Sequence, residues 1–330
     1  MDNLSKLDFT NVSIAMKSIF GLRKVLKQTN PDIVYIPVAS NFLPYLRDGL
    51  LIATAASYSN ARIIVHLHEG NYFREGFYAH SNYAVKKFIE KTLRKVHTAI
   101  VLSPRFKNVF NGFVGNIRVC PNGIEDEFKA FSTQIEREND RKIVVSYLGN
   151  MFESKGVLDT LNAAAYILRN GGVHNIEFQY TGAWSEADTK REAEKIISEN
   201  NMQSKIKFNG VLTGADKTKF LKTSDILVFP SRYRHEGFPL VILEAMSAGI
   251  PVISTKNTGA IPDIVIDGET GFLIEESDVK GIANAILKLA SDDSLRKSMS
   301  EKSRKRFVEN YQLEKNISGM IEIFNEALSS

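Results

Sequence analysis

The stretch that decides the fold is residues 235–255, HEGFPLVILEAMSAGIPVIST. A Gly and a Pro precede an apolar run, Gly249 follows it and a β-branched run comes next, which predicts a loop, a short helix, a turn and a strand. Glu236 lies in the predicted loop and Glu244 about one turn into the predicted helix. Both carboxylates can face the helix N-terminus, where free N–H groups and the helix dipole favour a phosphate. A diphosphate beside acceptors for hydroxyl groups is what a nucleotide-sugar requires.

The residues around this stretch extend the pattern. DILVFPS, residues 225–231, comes before it, and TGAIPDIV, residues 258–265, comes after it. Over this region the sequence closely resembles the retaining GT-B glycosyltransferases of family GT4, whose signature is a Glu, seven residues and a second Glu. The resemblance implies an α/β fold of GT-B type, with two Rossmann-like doubly wound domains that face a cleft.

The composition is that of an ordinary globular protein. With 330 residues, 43% hydrophobic and 24% charged, the chain is long enough for about two domains. No apolar run approaches the roughly 18 residues of a membrane span, and the first residues lack a secretory pattern. Cys120 is the only cysteine, which excludes an internal disulfide and fits a reducing compartment. We therefore expect a cytoplasmic protein.

The net charge of +4 is unevenly distributed, because residues 1–128 carry 16 Lys/Arg against 10 Asp/Glu. The basic residues follow helical spacing, so solvated helix faces are the simpler interpretation. The alternative is peripheral association with the anionic inner face of a membrane, where a lipid-linked acceptor would be presented. Nucleic acid is not an expected partner, since no basic motif with interleaved aromatic residues occurs.

Strands alternate with helices along most of the chain, which predicts parallel, doubly wound sheets. Four strand patterns lie in the sequence up to and including Cys120, and six lie after the polar tract 125–142, which is the predicted linker. The predicted domains are an acceptor-side domain, residues 1–128, and a nucleotide-sugar-binding domain, residues 142–312. The resemblance implies that the last helix, residues 313–330, packs back towards the first domain.

The start of the chain departs from the family pattern. Related enzymes begin with a strand, a Gly-rich loop and a helix ahead of the residues that match here, so we expect an N-terminally truncated first domain. In a Rossmann order the first strand is central. The strands from Asp32 onward are therefore expected to lack a central partner and to leave backbone groups unpaired.

A fixed cation is needed for the reaction, because sugar transfer builds negative charge on the leaving diphosphate. The best candidate is Lys155, in the segment GNMFESKG, residues 149–156, which follows a strand pattern and opens a helix. Related enzymes often have an Arg at the position of Asn150. A neutral donor therefore replaces one cation in this chain.

The remaining donor-side roles are carried over from the resemblance. The backbone of Gly237, Phe238 and Leu240 is expected to hold the distal phosphate and the sugar. Glu236 is expected to accept hydrogen bonds from sugar hydroxyls, and Glu244 from the ribose hydroxyls.

Three further features are singled out. Gly182 follows a strand pattern. It is a candidate for close approach of the nucleotide, and a glycine required only by a turn is the alternative. His68 matches a family histidine near the anomeric carbon and is expected to orient or polarise the reacting groups, whereas His66 is expected to be a satisfied interior residue. The aromatic segment 71–78 suits an acceptor sugar, with packing of its own aromatic rings as the alternative.

The sequence thus predicts a retaining glycosyltransferase that uses a UDP-sugar, favoured over a GDP-sugar, and a glycan or polyprenyl-diphosphate-linked acceptor. Bacterial surface polysaccharide assembly, such as that of lipopolysaccharide, is the expected pathway. No metal and no cofactor are expected, because no Asp-x-Asp motif follows a strand pattern. The alternatives are a nucleotide-sugar epimerase or phosphorylase on the same fold, and a non-catalytic binding or scaffold protein. The joint presence of Lys155, Glu236 and Glu244 favours the enzyme.

Overall fold

The computed structural model describes residues 9–129, 142–170 and 175–329. The chain divides into two units: unit 1 contains Met1–Asn122 with Asn316–Ser330, and unit 2 contains Gly123–Lys315. Residues 130–141, which hold most of the predicted linker, lie outside the described part.

Unit 1 contains a four-stranded parallel sheet with helices between its strands. Its strands are β1 (Ile33–Val38), β2 (Arg62–Leu67), β3 (Thr98–Val101) and β4 (Asn116–Val119). Its first three α-helices are α1 (Phe9–Thr29), α2 (Phe42–Tyr58) and α3 (Tyr83–Leu93), and it also has a π-helical turn (Phe73–Tyr78) and a 3-10 helix (Pro104–Phe110). Helix α1 ends because Asn30 is left-handed, with φ 41°, and a proline follows it.

The strands of unit 1 are ordered β1-β2-β3-β4, so sheet order follows chain order. Val34 is in register with Ile63, and Ile64 with Thr98. Strand β3 is buried throughout, as expected of a parallel strand covered on both faces. Each described strand pairs with the next one along the chain, so no gap interrupts the sheet, and the expected lack of a partner falls on the side of β1 that faces away from β2. Strand β1 lies at an edge of this sheet.

Unit 2 contains a six-stranded parallel sheet with intervening helices. Its strands are β5 (Ile143–Leu148), β6 (Ile176–Thr181), β7 (Ile206–Phe208), β8 (Ile226–Phe229), β9 (Val252–Thr255) and β10 (Gly271–Ile274). Its α-helices are α4 (Val157–Arg169), α5 (Ala187–Glu199), α6 (Gly214–Thr223), α7 (Leu240–Ser247), α8 (Ile261–Ile264), α9 (Val279–Ser291) and α10 (Asp293–Asn310).

The strand order of unit 2 is β10-β9-β8-β5-β6-β7, which is the Rossmann order with its first strand in the centre. Tyr147 on β5 is in register with Tyr180 on β6, and Val145 on β5 with Ile226 on β8. The winding of the chain reverses between β5 and β8. Open parallel sheets bind ligands outside the carboxyl ends of the strands at such a reversal.

The first residues of the predicted linker belong to folded structure. Arg304 on α10 makes two hydrogen bonds to the Asp126 carboxylate, at 2.7 and 2.8 Å, and Gln312 donates to it at 3.2 Å. The side chain of Asp126 is 5% exposed, so this pairing anchors the start of unit 2.

The last helix, α11 (Leu313–Ser329), belongs to unit 1 from Asn316 onward. One of its faces packs on the sheet of that unit in a buried cluster of Ile64, Ile100, Cys120, Ile323 and Ala327. Its other face carries Ile321, which is 53% exposed. Within the described residues, none of the helices combines the length and the apolar composition that a membrane crossing needs.

We expect Ile323→Ala to destabilise unit 1 by about 2–5 kcal/mol, because it opens a cavity between α11 and the sheet. Cys120 reports on this contact, since it is the only cysteine in the chain and is 2% exposed. Its labelling by a thiol reagent under native conditions should accelerate at least about tenfold. The control Ile321→Ala should leave the labelling rate nearly unchanged. Equal rates in the two variants would contradict this packing.

Candidate functional site

Two loops of unit 2 leave the carboxyl ends of β5 and β8, the strands between which the winding reverses. The first loop, residues 149–156, contains a 3-10 turn, Glu153–Lys155, and the second, residues 230–239, leads into α7. The loops meet at Gly156, where φ is 80° and a Cβ atom would overlap the carbonyl oxygen of Pro230. Glycine at this position therefore permits direct backbone contact between the two loops.

Lys155 and Glu236 form an ion pair across these loops. Nζ of Lys155 lies 3.5 Å from Oε2 of Glu236, and Oγ of Ser231 donates to the same oxygen at 3.0 Å. The ammonium also lies over the rings of Phe229 and Tyr233, 5.7 and 5.5 Å from their centroids. The separation of 3.5 Å exceeds that of a direct N–H···O hydrogen bond, so the ammonium keeps donors for an anionic ligand.

Arg232, which was not predicted from the sequence, connects the same two loops by hydrogen bonds and ion pairs. Its backbone N–H donates to the carbonyl of Ser154 at 2.8 Å, its Nη2 lies 3.1 Å from Oε1 of Glu153, and its Nη1 pairs with Asp159. Burial raises the pKa of Asp159, and the guanidinium opposes that shift. Because two carboxylates neutralise it, Arg232 positions the turn that carries Lys155 rather than serving as a second free cation.

The predicted residues Asn150 and Gly182 lie at the ends of β5 and β6. The carbonyl of Asn150 accepts a hydrogen bond from the buried Tyr147 hydroxyl at 3.1 Å, and its side chain is exposed. Gly182 has a φ of 145°, and a Cβ atom there would overlap the carbonyl oxygen of Gly149. Contact between neighbouring backbones thus explains this glycine without a ligand, which agrees with the turn-glycine interpretation.

The loop before α7 is held by the segment that follows β9. The N–H of Ala260 donates to the carbonyl of Gly237 at 2.8 Å. Gly259 has a φ of 54°, and a Cβ atom there would overlap the carbonyl oxygen of Glu236. Both contacts fix the backbone on which Glu236 is presented.

Phe238 and Leu240 complete the entry into α7. Phe238 is buried, and its ring meets that of Tyr311 edge to face, with centroids 5.8 Å apart. Leu240 is the first residue of α7 and is 45% exposed. Since the first N–H groups of an α-helix have no acceptor within the helix, this exposed end presents backbone donors.

Glu244 lies in a separate ion pair. Its Oε1 is 2.8 Å from Nζ of Lys217 on α6, and the two side chains are 20% and 27% exposed. The two glutamates of the sequence motif are therefore paired with different lysines. Glu236, in the loop before α7, pairs with Lys155, and Glu244, on α7, pairs with Lys217. Lys217 is 27 residues away along the chain, so no local pattern indicated this partner.

His68 follows β2 in unit 1, and its ring stacks on that of His66 with centroids 4.0 Å apart. Nδ1 of His66 lies 2.7 Å from the Tyr35 hydroxyl, and within the described part of the chain its Nε2 has no hydrogen-bond partner. His66 is buried as expected but is satisfied at one ring nitrogen only. Burial lowers the pKa of His66 to about 3, with the His68 charge adding to the effect, and burial also lowers the pKa of His68. Both rings are therefore neutral at pH 7.

The aromatic segment 71–78 contains the π-helical turn and is not an open loop. Phe73 and Phe77 are buried in unit 1. Arg74 donates to the carbonyls of Val109 and Asn111 at 3.2 and 2.8 Å. Internal packing, the alternative considered for this segment, accounts for these three side chains.

Family comparison agrees with this geometry. The family model described as Glycosyl transferases group 1 matches residues 128–306, and the model described as Glycosyltransferase Family 4 matches residues 6–128. The chain belongs to the group 1 glycosyltransferase family.

Two curated relatives show how far the similarity extends. The capsular polysaccharide biosynthesis glycosyltransferase CapM of Staphylococcus aureus is 32% identical over 196 residues, which cover 57% of this chain and 48% of CapM. The UDP-Gal:alpha-D-GlcNAc-diphosphoundecaprenol alpha-1,3-galactosyltransferase of Escherichia coli is 26% identical over 331 residues, which cover 95% of this chain and 81% of that enzyme. The chain spans about half the length of CapM and of another similar curated relative, 48% and 54% respectively.

Among solved structures, Anabaena HepE in complex with UDP and glucose is similar to this glycosyltransferase-family chain. The TM-score is 0.73 at 18% sequence identity, and the similarity covers 98% of this chain and 83% of HepE. At this level of identity the likeness shows the fold. The predicted family, the α/β class and the GT-B fold are confirmed.

We expect Gly182→Ala to destabilise unit 2 of this glycosyltransferase by about 2 kcal/mol or more, because the new Cβ meets backbone at a strained φ. Urea unfolding followed by the fluorescence of Trp184, the only tryptophan, measures the change. The control Gly210→Ala should cost only about 1 kcal/mol, since its φ is 68° and no atom lies within 4 Å of the added Cβ. Equal losses would contradict the close approach at Gly182.

Proposed function

We propose that this chain transfers a sugar, with retention of configuration, from a UDP-sugar to a glycan or polyprenyl-diphosphate-linked acceptor in bacterial surface polysaccharide assembly. The observation that carries the proposal is the Lys155–Glu236 pair on the two loops at the winding reversal of unit 2. A UDP-sugar is favoured over a GDP-sugar because the name of the E. coli relative specifies UDP-Gal and HepE was crystallised with UDP. The name of the same E. coli relative specifies a lipid-diphosphate acceptor.

The diphosphate of the donor is proposed to bind between Lys155 and the N-terminal end of α7. Lys155 supplies a positive charge, and its Nζ lies 3.5 Å from Glu236, farther than a direct hydrogen bond. The backbone at Gly237, Phe238 and Leu240 adds neutral donors and the positive end of the helix dipole. Burial of Phe238 and the Ala260–Gly237 hydrogen bond hold this backbone before a ligand arrives, so little reorganisation is needed during the reaction.

The two glutamates are proposed to read hydroxyl groups at different parts of the donor. Glu236 accepts from the transferred sugar and Glu244 from the ribose. Asn150, whose side chain is exposed at the end of β5, offers a neutral donor to the diphosphate. Gly182 lets the backbone after β6 lie directly against Gly149, in the loop that carries Asn150 and Lys155 and on which the nucleotide is proposed to bind.

In the proposed mechanism, the acceptor hydroxyl approaches the anomeric carbon on the face that the diphosphate leaves. The anomeric C–O bond to the phosphate breaks as the new C–O bond forms, and the departing phosphate oxygen takes the acceptor proton. Lys155 and the α7 dipole stabilise the charge on that oxygen more strongly as it develops. His68, neutral at pH 7, orients the reacting groups through its ring nitrogens.

The proposal places the protein at the cytoplasmic face of a membrane, as a peripheral protein. The basic surplus of residues 1–128 fits an anionic surface. On α1, Phe20 is 60% exposed, and Lys17 and Lys24 lie three and four residues from it, so an apolar side chain and two cations share one helix face.

The deciding experiment measures transfer of labelled sugar from UDP-glucose, UDP-galactose and UDP-GlcNAc to a GlcNAc-diphosphoryl polyprenol. We expect Lys155→Gln to lower kcat/KM by about 10²–10³-fold, because it removes the cation that stabilises the leaving diphosphate. The matched control Lys280→Gln, at an exposed lysine of the same unit, should retain activity.

The outcomes also separate the alternatives. Unchanged transfer by Lys155→Gln would refute the assigned role. UDP binding without transfer from any donor would favour a non-catalytic binding protein. Consumption or epimerisation of the donor without an acceptor would favour an epimerase or a phosphorylase.

We further propose that transfer needs no metal ion and no cofactor, because Lys155 and the α7 dipole supply the positive charge at the diphosphate. The transfer rate measured in excess EDTA should stay within about twofold of the rate without it. Loss of activity in EDTA followed by recovery with manganese would contradict metal independence.

A further inference from the structure

The Lys217–Glu244 ion pair is the shortest contact that the glutamates of the motif make to a lysine. Nζ of Lys217 lies 2.8 Å from Oε1 of Glu244, against 3.5 Å for the Lys155–Glu236 pair. Lys217 is the fourth residue of α6 and Glu244 is the fifth of α7, so the pair joins two helices. Both side chains stay partly exposed, at 27% and 20%, and a small ligand can reach them.

The position of Lys217 is electrostatically unusual. The helix dipole disfavours a cation in the first turn of a helix, and Lys217 lies in the first turn of α6. The Glu244 carboxylate offsets this cost. The next residue, Thr218, donates to the carboxylate of Glu127, so the start of α6 is tied to two carboxylates. The Lys217 ammonium is thereby held beside Glu244 at a defined place.

The pair offers complementary hydrogen-bonding groups. A lysine ammonium has three donors and no acceptor, whereas an ionised carboxylate only accepts. Two neighbouring hydroxyl groups, such as those of a ribose, can each donate one hydrogen bond and accept others. A donor and an acceptor 2.8 Å apart therefore match a vicinal diol better than a carboxylate alone does.

We propose that Lys217 is a specificity residue that reads the ribose of the nucleotide together with Glu244. Its ammonium donates to one ribose hydroxyl oxygen while Glu244 accepts from the neighbouring hydroxyl. The inference rests on the proposed function, because it places the ribose at Glu244. It extends that function because the Lys217–Glu244 pair binds both ribose hydroxyl groups and so selects nucleotides that carry both.

Two simpler roles give different results. If Lys217 only clamps α6 to α7, its loss lowers stability and weakens every nucleotide equally. If Lys217 only neutralises Glu244 in the free protein, its loss leaves nucleotide affinity unchanged or raises it. Selectivity for the ribose hydroxyls separates these roles from the proposed one.

The experiment titrates the full chain with UDP and GDP by calorimetry, and then uses the tighter binder with its 2′-deoxy and 3′-deoxy forms. The variants are Lys217→Met, which keeps the aliphatic stem, Lys217→Arg, which keeps the charge, and Lys219→Met. Lys219 is an exposed lysine of the same helix and serves as the matched control. Thermal unfolding of each variant confirms that it is folded.

We expect the wild type to bind the ribonucleotide about 10–100-fold more tightly than at least one deoxy form, because a hydrogen bond to a charged group is lost. Lys217→Met should weaken the binding of the ribonucleotide about tenfold and the binding of that deoxy form less than about twofold. Lys217→Arg should retain most of the wild-type ratio between the ribonucleotide and deoxynucleotide affinities. Lys219→Met should leave that ratio unchanged.

The inference is overturned if Lys217→Met preserves the wild-type ratio between ribonucleotide and deoxynucleotide, or if the wild type shows no such ratio. The first result leaves the proposed function intact. The second also removes the ribose role proposed for Glu244, but it leaves sugar transfer standing because the nucleotide still binds. If the wild type binds neither UDP nor GDP, the proposed function fails and the inference fails with it.

Discussion

The contact between the β5 and β8 loops of unit 2 is the constraint on which the candidate site depends. At Gly156 the two backbones approach too closely for any side chain, and Arg232 joins them through its backbone N–H and its guanidinium. Both loops lie where the Rossmann winding reverses, so the sheet alone determines that they are neighbours. Lys155 and Glu236 are brought together by this contact, because each is carried by one of the two loops.

The loose geometry of the Lys155–Glu236 pair follows from two opposing requirements. A buried carboxylate needs partners, and Glu236 has both Ser231 and Lys155. Under the proposed function Lys155 also binds a phosphate, and its Nζ lies 3.5 Å from Glu236, beyond the distance of a direct hydrogen bond. Ser231 therefore satisfies Glu236 at hydrogen-bonding distance, and Lys155 remains close enough to neutralise it. The rings of Phe229 and Tyr233 face the same ammonium, with centroids 5.7 and 5.5 Å from Nζ.

The sequence was sufficient for the fold class and for the local part of the site. The alternation of strands and helices predicted both parallel sheets, and the motif 235–255 predicted α7 with Glu236 before it. Arg232 and Lys217 were missed because their partners lie up to 79 and 27 residues away, where periodicity carries no information. The order of the strands within unit 1 was not predicted, because strand order depends on pairing and the sequence pattern of a strand does not indicate which strand lies beside it.

The cationic side chains around α7 are each matched by carboxylates. Under the proposed function, the binding of an anion there therefore depends on the helix dipole as well as on these cations. Lys155 and Lys217 are each matched by one glutamate of the motif, and Arg232 is matched by Glu153 and Asp159. Asn150 brings no charge where related enzymes often have an arginine. These seven charged side chains sum to a net negative charge before any ligand binds, so they cannot by themselves attract a diphosphate. Under the proposed function, a diphosphate therefore depends on the N–H groups at the start of α7 as well as on the donors that Lys155 keeps. The Ala260–Gly237 hydrogen bond and the buried ring of Phe238 fix the backbone before α7, which is the arrangement that the proposed function needs.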